Sequence, residues 1–132
     1  MSCNNDLRIT AVATSLVQSG RFVKGTPSAT VPTTAAADAL TVLGVSIQTT
    51  VSVNALVAVI VDGEAQCECA DATIVYGDAL TINAVGQVVK QATTPVTPTV
   101  AFALEAGSAL DNGLGKLIRC KLAILPRIAV PA

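Results

Sequence analysis

The residues of this chain that could take part in chemistry are four cysteines and nine acidic residues, and it has no histidine. Histidine is the commonest general base, so the Ser-His-Asp and Cys-His arrangements that activate a nucleophile are excluded. Most catalytic zinc sites are excluded for the same reason. A serine such as Ser108 has no histidine to activate it. The residue types therefore argue against nucleophilic catalysis, and we expect that the chain is not an enzyme.

The cysteines do not have the spacing of a metal site. Structural zinc sites usually use pairs separated by two to four residues, whereas Cys67 and Cys69 form one tighter pair and Cys3 and Cys120 stand far from it. The N-terminal M-S-C-N-N-D-L-R has no apolar signal segment, so we expect synthesis in a reducing compartment, where disulfides are rare. Cys67 and Cys69 would lie on one face of a strand. We predict reduced cysteines that pack as small apolar side chains.

The acidic residues have structural roles available to them. A glycosidase needs two carboxylates across a cleft, but aspartate in a turn commonly bonds its own backbone. Four aspartates fall in or beside predicted turns: Asp62, Asp71, Asp78 and Asp111. Glu105 follows an apolar strand, and we predict that it pairs with Lys116 or Arg119 across a hairpin. The G-L-G-K run at 113–116 is too short for a phosphate-binding loop. We therefore predict no catalytic, cofactor-binding or metal-binding residue.

The composition indicates one domain with an unusual surface and core. The 132 residues are 52% hydrophobic, 2% aromatic and 13% charged, against about 25% charged in typical soluble domains. This low charged fraction has two possible explanations. Identical subunits or a larger partner cover part of the surface, or uncharged polar residues (Thr, Ser, Asn and Gln) supply the polar surface. The run from Val51 to Val61 is far shorter than the ~20 residues that span a bilayer. A net charge of −1 and few aromatic rings argue against nucleic-acid binding.

Apolar alternation and turn residues predict a series of short strands. Arg8–Val17 fits a strand or a short helix, and Ala35–Leu40 is the best helix by propensity. Gly44 predicts a bulge or a close backbone approach. Loops or turns are predicted at 28–34, 93–99 and 107–115, and any strand in the first of these would lie at an edge because it contains proline. The predicted strands are 21–24, 42–47, 56–61, 64–69, 80–83, 88–90, 100–106 and 116–125.

The second half of the chain shows the clearest pattern. Asp62-Gly63 is a strong hairpin signal, and it would join strand 56–61 to strand 64–69. In the returning strand, Glu64, Gln66 and Glu68 alternate with Ala65, Cys67 and Cys69, which predicts one wet face and one buried face. The last strand places Leu117, Arg119 and Lys121 opposite Ile118, Cys120 and Leu122.

These elements predict an all-β fold. We expect a compact antiparallel β-sandwich or barrel-like (β-tulip-like) domain with at most one short helix and extended terminal arms. Residues 1–132 form a single domain, with an N-terminal arm or strand at 1–17, a β core at 18–122 and a C-terminal arm at 123–132. Both arms would suit strand addition along a neighbouring subunit.

The order of the motifs resembles the capsid cement, or head decoration, proteins of tailed phages. The motifs that carry the resemblance are S-G-R-F-V-K-G at 19–25, V-L-G-V at 42–45, V-I-V-D-G at 59–63, G-D-A-L at 77–80 with G-Q-V at 86–88, A-F-A-L-E-A at 101–106 and I-R-C-K-L at 118–122. The segments at 2–17 and after Leu122 depart from the family pattern.

The resemblance implies a structural virion protein that is made in the host cytoplasm and binds the outside of an icosahedral capsid. It would clamp neighbouring major capsid subunits, often as a homotrimer at threefold positions, without nucleic acid, membrane or small-molecule substrate. The alternative is another virion module, such as a tail, fibre-base or head-completion protein. A small hydrolase or carbohydrate-binding domain is a third class, which the absence of His and Trp disfavours.

Overall fold

The computed structural model describes residues 6–91 and 99–124, and it confirms the all-β prediction. Within these ranges no helix is long and apolar enough to cross a membrane. One 3₁₀ segment, Ala36–Leu40, occupies the position of the predicted short helix. The strands are β1 Asp6–Ala13, β2 Phe22–Thr26, β3 Ala29–Pro32, β4 Val42–Ser46, β5 Ala55–Glu68, β6 Ala79–Ile82, β7 Val88–Lys90, β8 Ala101–Ala103 and β9 Leu117–Leu122.

The first five strands close into a barrel. They pair in the order β1-β3-β2-β4-β5, and β5 returns to pair with β1 from Asp6–Gly63 to Ala13–Ala55. A closed barrel has no free edges, which removes the usual hazard of unpaired strands. Small aliphatic side chains fill its narrow interior: Ala11, Ala13, Val17, Val23, Leu43, Val57, Val59 and Val61.

The predicted hairpin at Asp62-Gly63 is wrong. Strand β5 runs unbroken through these residues, and its register against β1 shifts between Leu7 and Arg8, so that Val61 has no opposite residue. Gly63 has a φ of +88°. A β-bulge with glycine in a left-handed conformation satisfies the same local requirement as a tight turn, and β1 supplies the partner strand that keeps β5 extended.

The bulge lets one strand serve two hydrophobic cores. Before it, Val57, Val59 and Val61 point into the barrel. After it, Ala65 and the cysteines beyond pack in a second core. Ile60 alternates with Val59 and Val61, so it faces away from the barrel interior and joins the second core as well. The offset at the bulge then brings Ala65 onto the same face as Ile60.

The second half of β5 begins a second sheet. It pairs with β9 from Glu64–Lys121 to Glu68–Leu117, and the sheet continues in the order β9-β8-β6-β7. A bridge between Cys69 and Val88 brings β7 back to the end of β5. The core beneath this sheet includes Phe22 and Val45 from the barrel strands together with Leu80, Ile82 and Ile118.

Strand β3 corrects another expectation. Residues 28–34 were expected to form a loop, with any strand at an edge, but Ala29–Pro32 lies between β2 and β1. Pro32 is the last residue of β3, opposite Val23, and the single pair with β1 is Ala13–Thr30. Proline is tolerated because it stands at the end of the strand, where few ladder hydrogen bonds are needed.

The N-terminal segment is a strand of the barrel over its described residues, not an arm. Strand β1 pairs with β5 along its whole length, so truncation to residue 17 would remove a barrel strand. At the other terminus, the N–H of Ala123 donates to the carbonyl of Val100 at 2.9 Å, and Ile124 is buried. Residues 1–5, most of the predicted 93–99 loop and the predicted arm from 125 onward lie outside the described residues.

Both alternatives predicted for Gly44, a bulge and a close backbone approach, are confirmed. The register of β2 against β4 shifts between Val23 and Lys24, which places a bulge next to Gly44. A Cβ atom at Gly44 would collide with the carbonyl of Ile60 and the side chain of Val59. The glycine therefore allows β4 and β5 to approach closely.

Candidate interaction surface

The thiols of the described cysteines lie inside the protein. Cys67, Cys69 and Cys120 are free and buried, as predicted. Cys67 lies opposite Ile118, and Cys120 lies opposite Ala65. Cys67 and Cys120 are therefore diagonal neighbours in the ladder. A hydrogen bond to Cys120, together with burial, raises the pKa of the Cys67 thiol well above its usual range.

This diagonal arrangement does not favour a disulfide. Diagonal positions in a ladder are roughly 7–8 Å apart, whereas a disulfide needs Cα atoms within about 6.8 Å. The thiols therefore suit packing. Cys3 lies outside the described residues. In the part of the chain that the structure describes, no group of three or more Cys, Asp or Glu residues could hold a metal ion.

Two of the aspartates predicted in turns hold their local backbone. One carboxylate oxygen of Asp71 accepts from the N–H of Thr73 at 2.8 Å and from its hydroxyl at 2.6 Å. The hydroxyl bond is the main reason that the pKa of Asp71 is lowered. Asp78 accepts from the N–H of Val75 at 2.9 Å. Asp62 is the exception, because it lies within β5.

The remaining carboxylates divide into one confirmed pair and one unexpected contact. Glu105 pairs with Arg119 at 3.8 Å, as predicted. Glu68 was assigned to the wet face but is only 6% exposed. Its carboxylate accepts two bonds from Arg21, at 3.1 and 3.3 Å, one from the Gln87 amide, and one from the N–H of Gly115 at 3.2 Å.

Burial raises the pKa of Glu68, but the hydrogen bonds from Arg21, Gln87 and Gly115 outweigh it and the net direction is downward. The donors belong to three segments that are distant in sequence. Alternation along β5 alone could not predict that Glu68 is buried, because the residues that cover its side chain come from outside the strand. The contact joins the barrel to the second sheet and is structural in kind.

Four exposed aliphatic residues gather at one end of the barrel, a surface we call the uncharged rim: Leu16, Val51, Val53 and Leu56. Val51 is 92% exposed and Leu56 is 69% exposed. The N–H of Thr50 donates to the carbonyl of Val17 at 3.0 Å, which joins the two loops that carry the rim. Residues 14–17 and 49–56 contain no charged side chain. A contiguous exposed apolar patch commonly marks a protein contact.

A second exposed surface carries two of the three aromatic residues of the chain, Tyr76 and Phe102. Their segments are joined by the N–H of Gly77, which donates to the carbonyl of Ala103 at 2.8 Å. Aromatic side chains usually dominate core energetics, but here only Phe22 is buried. The described surface thus offers apolar contact areas.

Together, the fold and this surface define a compact all-β domain in which a closed barrel shares a long strand with a second sheet. No protein-family model matches the sequence, and no curated protein matches it. Among solved structures, the chain is similar to the N base of head fiber gp8.5 of bacteriophage phi29, with a TM-score of 0.60. The two are 20% identical, and the alignment covers 89% of this chain and 94% of the other. This likeness shows a shared fold over nearly the whole of both chains.

Proposed function

We propose that this chain is a non-enzymatic structural protein of a tailed-phage virion that attaches to the outer surface of the head. The observation that carries the proposal is the fold shared with a phage head fiber base across 89% of this chain. The ordered motifs that resemble cement proteins support the same class independently. The chain would be made in the host cytoplasm and would reach the virion by assembly.

The finer proposal is that the protein clamps neighbouring major capsid subunits, as a homotrimer and without nucleic acid, membrane or small-molecule substrate. The uncharged rim suits such a contact, because full burial of each aliphatic side chain contributes about 1.5–3 kcal/mol. A protein that binds the assembled shell more tightly than free subunits stabilises the shell by mass action. Several weak contacts within one oligomer would reinforce one another.

The second candidate is a fibre-base module that anchors a larger appendage. The fold of the phi29 head fiber base favours it. Both candidates place the chain on the particle, but they predict different numbers of copies per particle. Cement proteins of the resembled family occupy the whole lattice, whereas a tail or vertex component is present in far fewer copies.

Copy number in purified particles tests the proposal. Quantitative mass spectrometry would measure this chain against the major shell protein. A ratio of one to one, or a simple fraction of it, supports the lattice-wide clamp. A handful of copies per particle supports a vertex, tail or sparse fibre component instead. Absence from particles contradicts the virion role and returns attention to a binding module or enzyme.

A further inference from the structure

A cleft of about 270 Å³ lies between β2 and the turn that joins β6 to β7. Leu16, Pro32 and Val85 contribute apolar surface to its walls. The N–H of Phe22 donates to the carbonyl of Gly86 at 3.0 Å, which holds the turn beside β2. The volume falls just below the usual range for small-molecule pockets, about 300–1,000 Å³, so the cleft suits a single side chain. Leu16 also belongs to the uncharged rim, so the cleft opens beside that surface.

One hydroxyl group in this cleft is buried without a hydrogen-bond partner. Thr33 lines the cleft and is only 3% exposed. Among the described residues, no group bonds its Oγ1 atom. A buried polar group left unpaired is costly, and such groups are uncommon in folded proteins. The cleft therefore suits a side chain that is apolar along its length and carries a polar group at its tip.

Tyr76 has this character and stands on the surface. It is the one tyrosine in the sequence, and it is 74% exposed. The N–H of Asp78 donates to the carbonyl of Val75 at 3.1 Å, and Gly77 has a φ of +90°, which is the pattern of a type II turn. The N–H of Gly77 also donates to the carbonyl of Ala103 at 2.8 Å. A side chain on a turn held in this way loses less freedom when it binds.

Tyr76 cannot enter the cleft of its own copy. It precedes β6, whereas Val85 follows β6, and the four residues of this strand span about 13 Å. That length exceeds the reach of a tyrosine side chain. A second copy can supply the ring instead. Because the two contact surfaces lie at opposite ends of β6, the contact is heterologous, and it closes a ring or continues as a filament.

We propose that Tyr76 of one copy inserts into the cleft of a second copy, where its phenolic hydroxyl bonds the hydroxyl of Thr33. The ring packs against Leu16 and Val85. A buried tyrosine usually finds a partner for its hydroxyl, so one contact covers the exposed ring and pairs the orphaned hydroxyl. Thr33 Oγ1 lies against Gly86 in the single copy, so the turn at 84–86 shifts as the ring enters. The contact deepens the homotrimer of the proposed function, on which that oligomeric state rests.

Sedimentation velocity of the purified full-length chain tests the contact without capsids. We expect the wild-type chain to form oligomers at concentrations up to about 100 μM. Tyr76→Ser removes the ring, and Val85→Arg places a long charged side chain at the mouth of the cleft. Each variant alone should be monomeric, with affinity lowered at least about 30-fold. Leu7→Ser removes an exposed leucine outside both surfaces and should assemble as the wild type does.

A mixture of the two monomeric variants provides a sharper test. The Val85→Arg copy keeps its tyrosine, and the Tyr76→Ser copy keeps its cleft. The mixture should therefore form one contact and stop at a heterodimer. Two variants that had merely misfolded would not restore each other in this way.

The heterodimer also tests the proposed hydrogen bond. Tyr76→Phe in the copy that supplies the ring should weaken the heterodimer about fivefold, as should Thr33→Val in the copy that supplies the cleft. Both changes together should weaken it no more than either alone, because they remove the same bond.

Four results would overturn the proposal. They are a monomeric wild type, assembly of Tyr76→Ser like the wild type, no heterodimer in the mixture, and effects of Tyr76→Phe and Thr33→Val that simply add. Attachment to capsids is measured separately, by copy number. A monomeric chain that still coats particles would overturn this contact alone. Oligomers that are absent from particles would overturn the virion role and leave the contact standing.

Discussion

The Glu68 carboxylate joins the barrel to the second sheet, because Arg21, Gln87 and Gly115 all donate hydrogen bonds to it. Its pKa in the folded chain lies below the 4.5 of a free glutamate, so folding favours the ionised form. The stabilisation from Glu68 is therefore complete above pH 4.5 and is lost as pH falls through the lower, folded pKa. Acid should therefore weaken this junction.

The variant Glu68→Gln tests this at the residue scale. It leaves the partly buried Arg21 without its anionic partner, so we expect the free energy of unfolding at pH 7 to fall by about 2–4 kcal/mol. Urea unfolding at pH 7 and at a series of lower pH values measures the difference, which should shrink as the wild-type carboxylate becomes protonated. Glu105→Gln, which breaks an exposed pair, should cost about 1 kcal/mol or less. Equal effects of the two variants would contradict the role of Glu68.

The buried thiols give a second prediction at this scale. In a Cys3→Ser variant, Cys67, Cys69 and Cys120 should fail to react with Ellman's reagent under native conditions, because burial keeps the reagent from all three thiols. A raised pKa further suppresses the reactive thiolate of Cys67. All three should react once denaturant is added. Rapid modification of the native protein, or fewer than three thiols in the denatured protein, would rule out three buried reduced cysteines.

At the scale of elements, the barrel depends on the close approach of β4 to β5 at Gly44. We expect Gly44→Ala to lower the free energy of unfolding by about 2–3 kcal/mol, because the added methyl group meets main-chain atoms of Ile60 that cannot move aside. Gly77→Ala provides the control. Gly77 has a positive φ, but a Cβ atom added there would meet no other atom within 4 Å. Only the backbone strain of a side chain at positive φ, about 1 kcal/mol, is therefore expected.

Urea unfolding of both glycine variants measures the comparison. A loss at Gly44 no larger than that at Gly77 would mean that β4 can shift away from β5 at little cost. The bulge next to Gly44 would then be a flexible feature and not one that holds the barrel closed.

The whole molecule presents the uncharged rim at one end, and this surface bears on the proposed attachment to capsids. Val51 is almost fully exposed, so Val51→Asp should change the free energy of unfolding by no more than about 0.5 kcal/mol. It should nevertheless lower occupancy on particles, because a charge at an apolar contact must lose its water. Quantitative mass spectrometry of particles mixed with the purified variant measures occupancy.

Leu114→Asp is the matched control for this experiment, since it adds the same charge at an exposed leucine in the turn at 111–114. It should leave occupancy unchanged. Full occupancy by the Val51 variant would show that another surface makes the capsid contact. Equal loss with both variants would indicate a general effect of negative charge.

Features that depend on neighbours in the chain could be predicted from the sequence. The alternation of β9 correctly separates buried Ile118, Cys120 and Leu122 from the exposed side, and glycine-containing turns correctly bound β6 and β7. The pairing of Glu105 with Arg119 also follows from the antiparallel pairing of β8 and β9, which are consecutive in the chain. In each case the local period or turn chemistry leaves one low-energy arrangement.

Tertiary pairing decided the rest. Asp62-Gly63 satisfies a hairpin and a bulge equally well, and only the presence of β1 along β5 selects the bulge. Closure of the barrel placed β3 between two strands, and distant residues buried Glu68. The uncharged rim likewise exists because hydrogen bonds bring the 14–17 segment beside the loop that leads into β5. A sequence sets the preferences of each segment, but which segment lies beside another depends on the free energy of the whole packed chain.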